Sequence, residues 1–252
     1  MGTEDKSYGI VNDTIGKVAS EVYVDVARPA ARQIGSALET LFKVGLSPVS
    51  MLDWGFEQSK DWLKKKVEER ASKTPREFLC TPPNNIAIPA ITSISMSADA
   101  PELRELYAEL LLKAMDSRTE PMVHPSYISV IGQLTPQEAL AFISFQEIDS
   151  STIFQENNAR YSLGNDLTIE GQFASHCLSI GLKNTTYIQL WLENLQRLKL
   201  IDLREYSEAC YVEPDADTPY PSVNNREDRY LELTTYGHEF LKACTPPDAV
   251  KL

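Results

Sequence analysis

Apolar residues recur at spacings of three and four through most of the chain. Alternation with a period of two is confined to short stretches near the C-terminus, so the pattern predicts a mainly helical protein. Ile15, Val18, Val22 and Val26, followed by Ile34, Leu38, Leu41 and Phe42, place a helix over 13–46. Pro29 removes a backbone donor and crowds the preceding turn, which divides or kinks that helix. The small residues Ala27, Ala30, Ala31, Gly35, Ser36 and Ala37 surround it and let another backbone approach closely. Gly45 to Pro48 is a stop signal. A second amphipathic helix is predicted over 51–71, carrying Trp54, Phe56, Trp62, Leu63 and Val67. Its charged end, Lys64-Lys65-Lys66 then Glu68-Glu69-Arg70, reads as a solvated helix terminus that suits the dipole.

Thr81-Pro82-Pro83-Asn84-Asn85 breaks the pattern and marks a hinge. The apolar run Ile86 to Met96 follows, then Ser97 or Asp99 as a cap. A helix is predicted over 101–115, with Leu103, Leu106, Tyr107, Leu110, Leu111 and Ala114 on one broad face. A short helix opens at Pro125-Ser126 and runs to Gly132. Thr135-Pro136-Gln137-Glu138 then presents a capping box with proline at the first helical position.

The signals change beyond that point. Residues 146–167 are polar and poor in strand signals, with one short strand suggested near Arg160–Leu163. A helix follows Thr168 and runs through Phe173, Cys177 and Leu178 to Gly181. Asn184-Thr185-Thr186 caps the next helix, whose inner positions are Ile188, Trp191, Leu192, Leu195 and Leu198. Leu200 to Leu203 and Arg229 to Leu233 read as strands around a loop over 213–228, and a last helix contains Phe240 and Leu241. Helix, helix, helix, hairpin, helix is the order of a winged-helix module. The expected architecture is therefore mainly α. Amphipathic helices occupy 1–80 and a central helical region 81–133, and a C-terminal winged-helix module with a small β-hairpin fills 134–252.

Composition narrows the setting. The chain has 252 residues, enough for two cores, with ordinary hydrophobic (42%) and charged (24%) content. No basic stretch followed by an apolar one opens the sequence, and no apolar run reaches the length of a membrane span. The expectation is a soluble, cytoplasmic protein whose four cysteines (Cys80, Cys177, Cys210 and Cys244) are reduced thiols.

Charge decides against one use of the module. Residues 1–80 carry 12 basic and 12 acidic side chains, whereas 81–252 carry 12 basic against 24 acidic. Within 134–252 the balance is 9 basic to 18 acidic, including Glu213, Asp215, Asp217, Glu227 and Asp228 in the wing. Nucleic-acid binding requires a positive footprint, because phosphate attraction supplies most of its affinity. The solvent side of the third helix of the module, Thr186, Gln189, Glu193 and Gln196, is instead the candidate protein-interaction surface.

The central block resembles the Abi-alpha family, bacterial proteins named for abortive infection. The residues that carry the resemblance are Ile86 through Pro89-Ala90, Pro101-Glu102-Leu103-Arg104-Glu105-Leu106-Tyr107-Ala108-Glu109-Leu110-Leu111, His124-Pro125-Ser126-Tyr127 and Gln133-Leu134-Thr135-Pro136-Gln137-Glu138-Ala139. Tyr23-Val24-Asp25, Pro29 and Gly35 also look like that family's N-terminal region. The resemblance implies antiphage defence, with growth arrest or death of the infected cell as its route.

No catalytic constellation stands out. The chain has no glycine-rich phosphate loop, no nucleophile elbow and no two-histidine helix motif. His124 sits where it would cap or pack. His176 and Cys177 with Cys210, His238 and Cys244 match no zinc spacing. Glu102, Glu105 and Glu109 share a helix face that reads as solvated. The expectation is a non-enzymatic protein without cofactor or metal, acting on a phage or host protein, with a homo-oligomer as one assembly. The alternatives are a membrane-active effector using the N-terminal helices and, less favoured, a transcriptional regulator. Asp25, Arg28, Arg32 and Glu39 make insertion into a bilayer costly.

Overall fold

The computed structural model describes residues 53–148, 152–157, 168–183, 186–212 and 222–246. It is mainly helical with one three-stranded antiparallel sheet. The helices expected over 13–46 lie outside the described residues, as do the side chains of Trp54 and Phe56. The described residues form two compact units, one comprising 53–136 with 242–246 and the other 137–241.

The first unit is built from α1 (Asp53–Lys73), α2 (Asn84–Met96), α3 (Pro101–Ala114) and α4 (Ser126–Ile131). Leu63 and Val67 of α1, Ile86, Ala90, Ile91 and Ile94 of α2, and Leu106, Leu110 and Leu111 of α3 are buried together with Ile131. Helix α2 continues through Pro89. The carbonyl that this proline leaves without an N–H partner belongs to Asn85, which is exposed in the first turn and meets water. Neither Ser97 nor Asp99 caps α3. Ala100 occupies that position without a side-chain bond, and Pro101, with its φ already helical, starts the helix.

Two ion pairs, each spanning the same step along the two helices, join α1 to α3. Lys66 pairs with Glu105, and Arg70 Nη2 lies 2.7 Å from Glu109 Oε2. Glu109 is buried, so the acidic face expected to be solvated is in part an interface with α1. Trp62 lies beneath two cations, with the Arg104 guanidinium 4.4 Å and the Lys66 ammonium 5.2 Å from its ring centre. Farther along α3, Lys113 Nζ donates to the carbonyls of Lys242 and Thr245, the latter at 2.9 Å. A cation is favoured there because the last carbonyls of a helix carry partial negative charge.

The second unit contains α5 (Pro136–Ile143, from its second residue), β1 (Thr152–Asn157), α6 (Ile169–Ser179), α7 (Ile188–Arg197), β2 (Ile201–Val212), β3 (Ser222–Leu233) and most of α8 (Thr235–Cys244). The strands are ordered β1-β3-β2 and all pairs are antiparallel. The strand suggested near Arg160–Leu163 lies outside the described residues; β1 is an earlier strand, 152–157, that the polar pattern did not show. The hairpin is also longer than the pattern implied. Ile201 pairs with Leu233, and the ladder continues unbroken to Val212 with Ser222. Antiparallel pairing is set by main-chain hydrogen bonds, which leave no hydrophobic period for the sequence to show over Ser222 to Asp228.

Aromatic rings fill the centre of this unit. Phe145 lies 6.2 Å from Phe142, 6.1 Å from Phe154 and 5.9 Å from Phe173, while Phe142 meets Phe240 of α8 at 5.8 Å. Gly237 sits where a Cβ would lie 2.0 Å from the Leu200 carbonyl oxygen, so only glycine lets α8 start so close to that strand. The inner face of α7 is apolar, with Trp191 5% exposed and Leu195 fully buried.

Trp191→Ala is expected to cost about 3–5 kcal/mol, the range for a buried large aromatic. Chemical denaturation followed by circular dichroism measures it. An unchanged midpoint would show that Trp191 contributes nothing to the packing of α7.

Candidate interaction surface

The most distinctive surface of the second unit is the corner between α6 and α7. Thr168 starts α6 with its side-chain oxygen accepting from Gly171 N at 3.0 Å. The helix ends in a Schellman motif in which Leu182 N donates to Cys177 O and Gly181 N to Leu178 O. Gly181 takes φ +88°, a conformation that costs glycine little and other residues more. Helix α7 closes the same way, with Leu200 N bonded to Leu195 O and Lys199 N to Gln196 O. Here the left-handed position is occupied by Lys199 at φ 59°. Both ends of the corner are thus held by main-chain bonds.

On α7 the residues Ile188, Trp191, Leu192 and Leu195 recur at helical spacing and face inward. The opposite side presents Gln189, Leu190, Glu193 and Arg197, all exposed, with Thr186 exposed just before the helix. Gln189 Nε2 donates to Glu193 Oε1 at 3.0 Å. Of the four residues proposed from the sequence, Thr186, Gln189 and Glu193 share this face, whereas Gln196 is half-buried on its flank. Tyr187 stands at the N-cap without a side-chain cap bond, and Asn184 and Thr185 lie outside the described residues.

The apolar residues of the corner were not anticipated. Leu178 (55%), Ile180 (38%), Tyr187 (55%) and Leu190 (58%) are exposed, and the other large exposed hydrophobics among the described residues are Met96 and Tyr206. Four of the six therefore lie in the last turn and C-cap of α6 or the N-cap and first turn of α7. The signal was in the sequence: on a helix whose inner side is set by Ile188, Trp191 and Leu195, Leu190 falls almost opposite.

Beneath the corner, polar contacts hold its parts in place. Glu138 of α5, read as part of a capping box, is buried and accepts from Asn194 Nδ2 at 3.0 Å. Arg197 Nη2 in turn donates to Asn194 Oδ1 at 2.7 Å. Arg229 of β3 contacts Glu156 of β1 at 3.0 Å and Glu170 of α6 at 3.1 Å. Burial opposes the Arg229 charge, but Glu170 and then Glu156 outweigh it and raise the guanidinium above its ordinary range. Glu156 Oε2 also accepts from the Ile169 N–H at 3.2 Å, so a carboxylate faces the positive end of α6.

Ser144 Oγ is 2.7 Å from His176 Nε2, a serine–histidine pair in reach for activation of a nucleophile. The same oxygen lies 2.7 Å from the Ala141 carbonyl one turn back, and the imidazole stacks on Phe145 at 5.5 Å. These contacts join α5 to α6. His124 Nδ1 lies 2.6 Å from Ser126 Oγ and 3.2 Å from the Ser126 backbone N, a contact at the start of α4. Among the described residues, no three His, Cys, Asp or Glu side chains are placed to hold a metal ion, and no helix is long and apolar enough to cross a membrane.

The profile of a protein family described as abortive infection alpha matches residues 55–244. No curated protein and no solved structure matches the chain.

Cys177 is buried directly under the corner, and burial pushes its thiol up to about 11. At pH 8 it is expected to resist alkylation until the corner opens. In a chain with Cys80, Cys210 and Cys244 changed to serine, labelling by iodoacetamide is expected to be far slower before denaturation than after it. Equal rates in both states would mean that α6 and α7 do not stay packed in solution.

Proposed function

The chain belongs to the abortive infection alpha family, and from that premise we propose that it serves antiphage defence by binding a phage or host protein, without a reaction of its own. The observation that carries this reading is the concentration of exposed apolar side chains at the α6–α7 corner. We read the order α5, β1, α6, α7, β2, β3, α8 as a winged helix, a reading in which α7 stands for the recognition helix and the β2–β3 hairpin for the wing. In this reading the recognition helix offers Leu190 and Tyr187, supported by Gln189 and Glu193, to a protein surface. Aromatic and large aliphatic anchors on a rigid support are what protein contacts use for most of their binding energy. A cytoplasmic site of action follows from the proposed partners.

Leu190→Asp and Tyr187→Ala alter side chains that are more than half exposed, so neither should lower the melting temperature. Each is expected to reduce protection against a restricted phage by about tenfold or more, the loss associated with a single hot-spot side chain. Efficiency of plating on cells expressing each variant provides the measurement. Full protection by both variants would remove the corner from the mechanism.

The same face does not suit DNA. A leucine and a carboxylate occupy the centre of α7, where base-reading and phosphate-binding side chains would be needed. In an electrophoretic mobility assay near physiological salt, the purified chain is expected to leave duplex DNA unshifted. Tight binding with a steep salt dependence would instead establish a phosphate footprint.

A further inference from the structure

We propose that the outer face of the three-stranded sheet is a docking surface for a cationic, arginine-bearing segment of a partner protein. This surface is separate from the α6–α7 corner and stands without it.

The register places the side chains. Residues directly paired in an antiparallel ladder share a face, and neighbours along each strand alternate. Leu203 pairs with Leu231 and Ile201 with Leu233. Of these, Ile201, Leu231 and Leu233 are buried, which marks the inner face. Phe154 and Glu156 of β1 pair with Leu231 and Arg229 on that same side. The outer side therefore carries Asp202, Arg204 and Tyr206 of β2, Asp228, Tyr230 and Glu232 of β3, and Gln155 of β1. Gln155, Arg204 and Tyr206 are exposed, so this side is open to solvent.

Two features of the outer side select a cation. The first is aromatic. Tyr206 and Tyr230 stand edge to face, with ring centres 5.4 Å apart and planes at 79°. Gln155 Nε2 donates to the Tyr230 hydroxyl at 3.2 Å and braces the pair from β1. Tyr206 is nonetheless more than half exposed. The face of a tyrosine ring carries negative charge density and attracts a guanidinium or ammonium group.

The second feature is charge. Three carboxylates (Asp202, Asp228 and Glu232) share the outer side with one guanidinium (Arg204), an excess of two negative charges among these side chains. Over 134–252 acidic residues outnumber basic ones 18 to 9, so the wider field has the same sign. The face also holds a guanidinium of its own. Arg204 Nε lies 3.0 Å from Glu232 Oε2 and 3.5 Å from Asp202 Oδ2. The Tyr206 hydroxyl, and then the Glu232 carboxylate, raise Arg204 above its ordinary range. A tyrosine and two carboxylates thus hold an arginine at one end of the face. At the other end Asp228 stands across the ladder from Tyr206, the same two residue types offered to an incoming side chain. An anionic partner meets repulsion here, and an apolar one would strip water from carboxylates without replacing it.

Fluorescence anisotropy of the full chain with a labelled peptide of alternating arginine and glycine tests the proposal. The wild type is expected to bind this peptide, more weakly as salt rises, and to ignore its glutamate–glycine counterpart. Tyr206→Ala changes no charge and should leave the melting temperature alone, yet should weaken binding by about fivefold or more. Tyr206→Phe keeps the ring and should retain most of the affinity. Asp228→Asn should also cost about fivefold or more, whereas Glu193→Gln on α7, an equal change in net charge, should stay within about twofold. A wild type that does not bind the arginine peptide overturns the proposal. So does a Tyr206→Phe chain as weak as Tyr206→Ala, since the ring would then not be the contact. Equal losses in Asp228→Asn and Glu193→Gln would reduce binding to net charge and overturn it as well. Oligothymidylate bound by the wild type and released by Tyr206→Ala would make the ring pair a base-stacking platform, which also overturns it.

Discussion

Phe145 is the side chain on which the second unit depends. It is fully buried after the end of α5, and around it stand Phe142, Phe154 of β1, and Phe173 and His176 of α6. Edge-to-face and tilted ring contacts of this kind favour particular orientations in addition to burying area. The strand β1 illustrates the consequence. Its sequence, Thr152 to Asn157, has two large apolar residues, Ile153 and Phe154, and the Phe154 ring lies against Phe145 and Phe173 while the backbone pairs with β3. The sheet edge is thereby joined to the helices, and α6 and α7 can form a corner that keeps its shape.

Polar contacts complete what the rings begin. Arg229 ties β3 to β1 and α6 through Glu156 and Glu170, and Asn194 ties α7 to α5 through Glu138. In the first unit Arg70 and Lys66 do the same between α1 and α3. A buried carboxylate such as Glu109 or Glu138 stabilises little by itself, because desolvation offsets most of the attraction. Its stronger effect is on specificity, since an arrangement that separates the pair leaves a charge or amide stranded. The acidic composition of the chain is in this sense partly structural: several carboxylates that raise the net negative charge are internal partners.

The chain belongs to the abortive infection alpha family, and among its described residues no three His, Cys, Asp or Glu side chains are grouped to hold a metal ion. Ser144 and His176 are at hydrogen-bond distance, the hydroxyl also donates to the Ala141 carbonyl of α5, and the ring lies against Phe145. At the α6–α7 corner, main-chain bonds close the C-terminal ends of both helices, while Leu178, Tyr187 and Leu190 are more than half exposed.

The order and type of most elements were legible in the chain because periodicity reports directly on which side of a helix is buried. Leu103 to Ala114 announced α3, and Ile188, Trp191 and Leu195 announced α7, each within a residue or so of its ends. The family likeness came from the same local patterns. Strand β1 and the outer part of the hairpin were not legible, since main-chain pairing between distant segments holds them and that pairing leaves no hydrophobic period. Nor was the fate of individual charges. Glu105 and Glu109 look like a solvated face until α1 places Lys66 and Arg70 opposite them, and the bond from Asn194 to Glu138 joins residues far apart in the chain. Leu190 was the reverse case, an apolar residue inside a helical pattern that the packing of its neighbours turns outward. Local sequence decides which segments become helices, because that choice depends on residues three or four apart; only the fold decides which side chains remain available to a partner, because that depends on residues dozens of positions away.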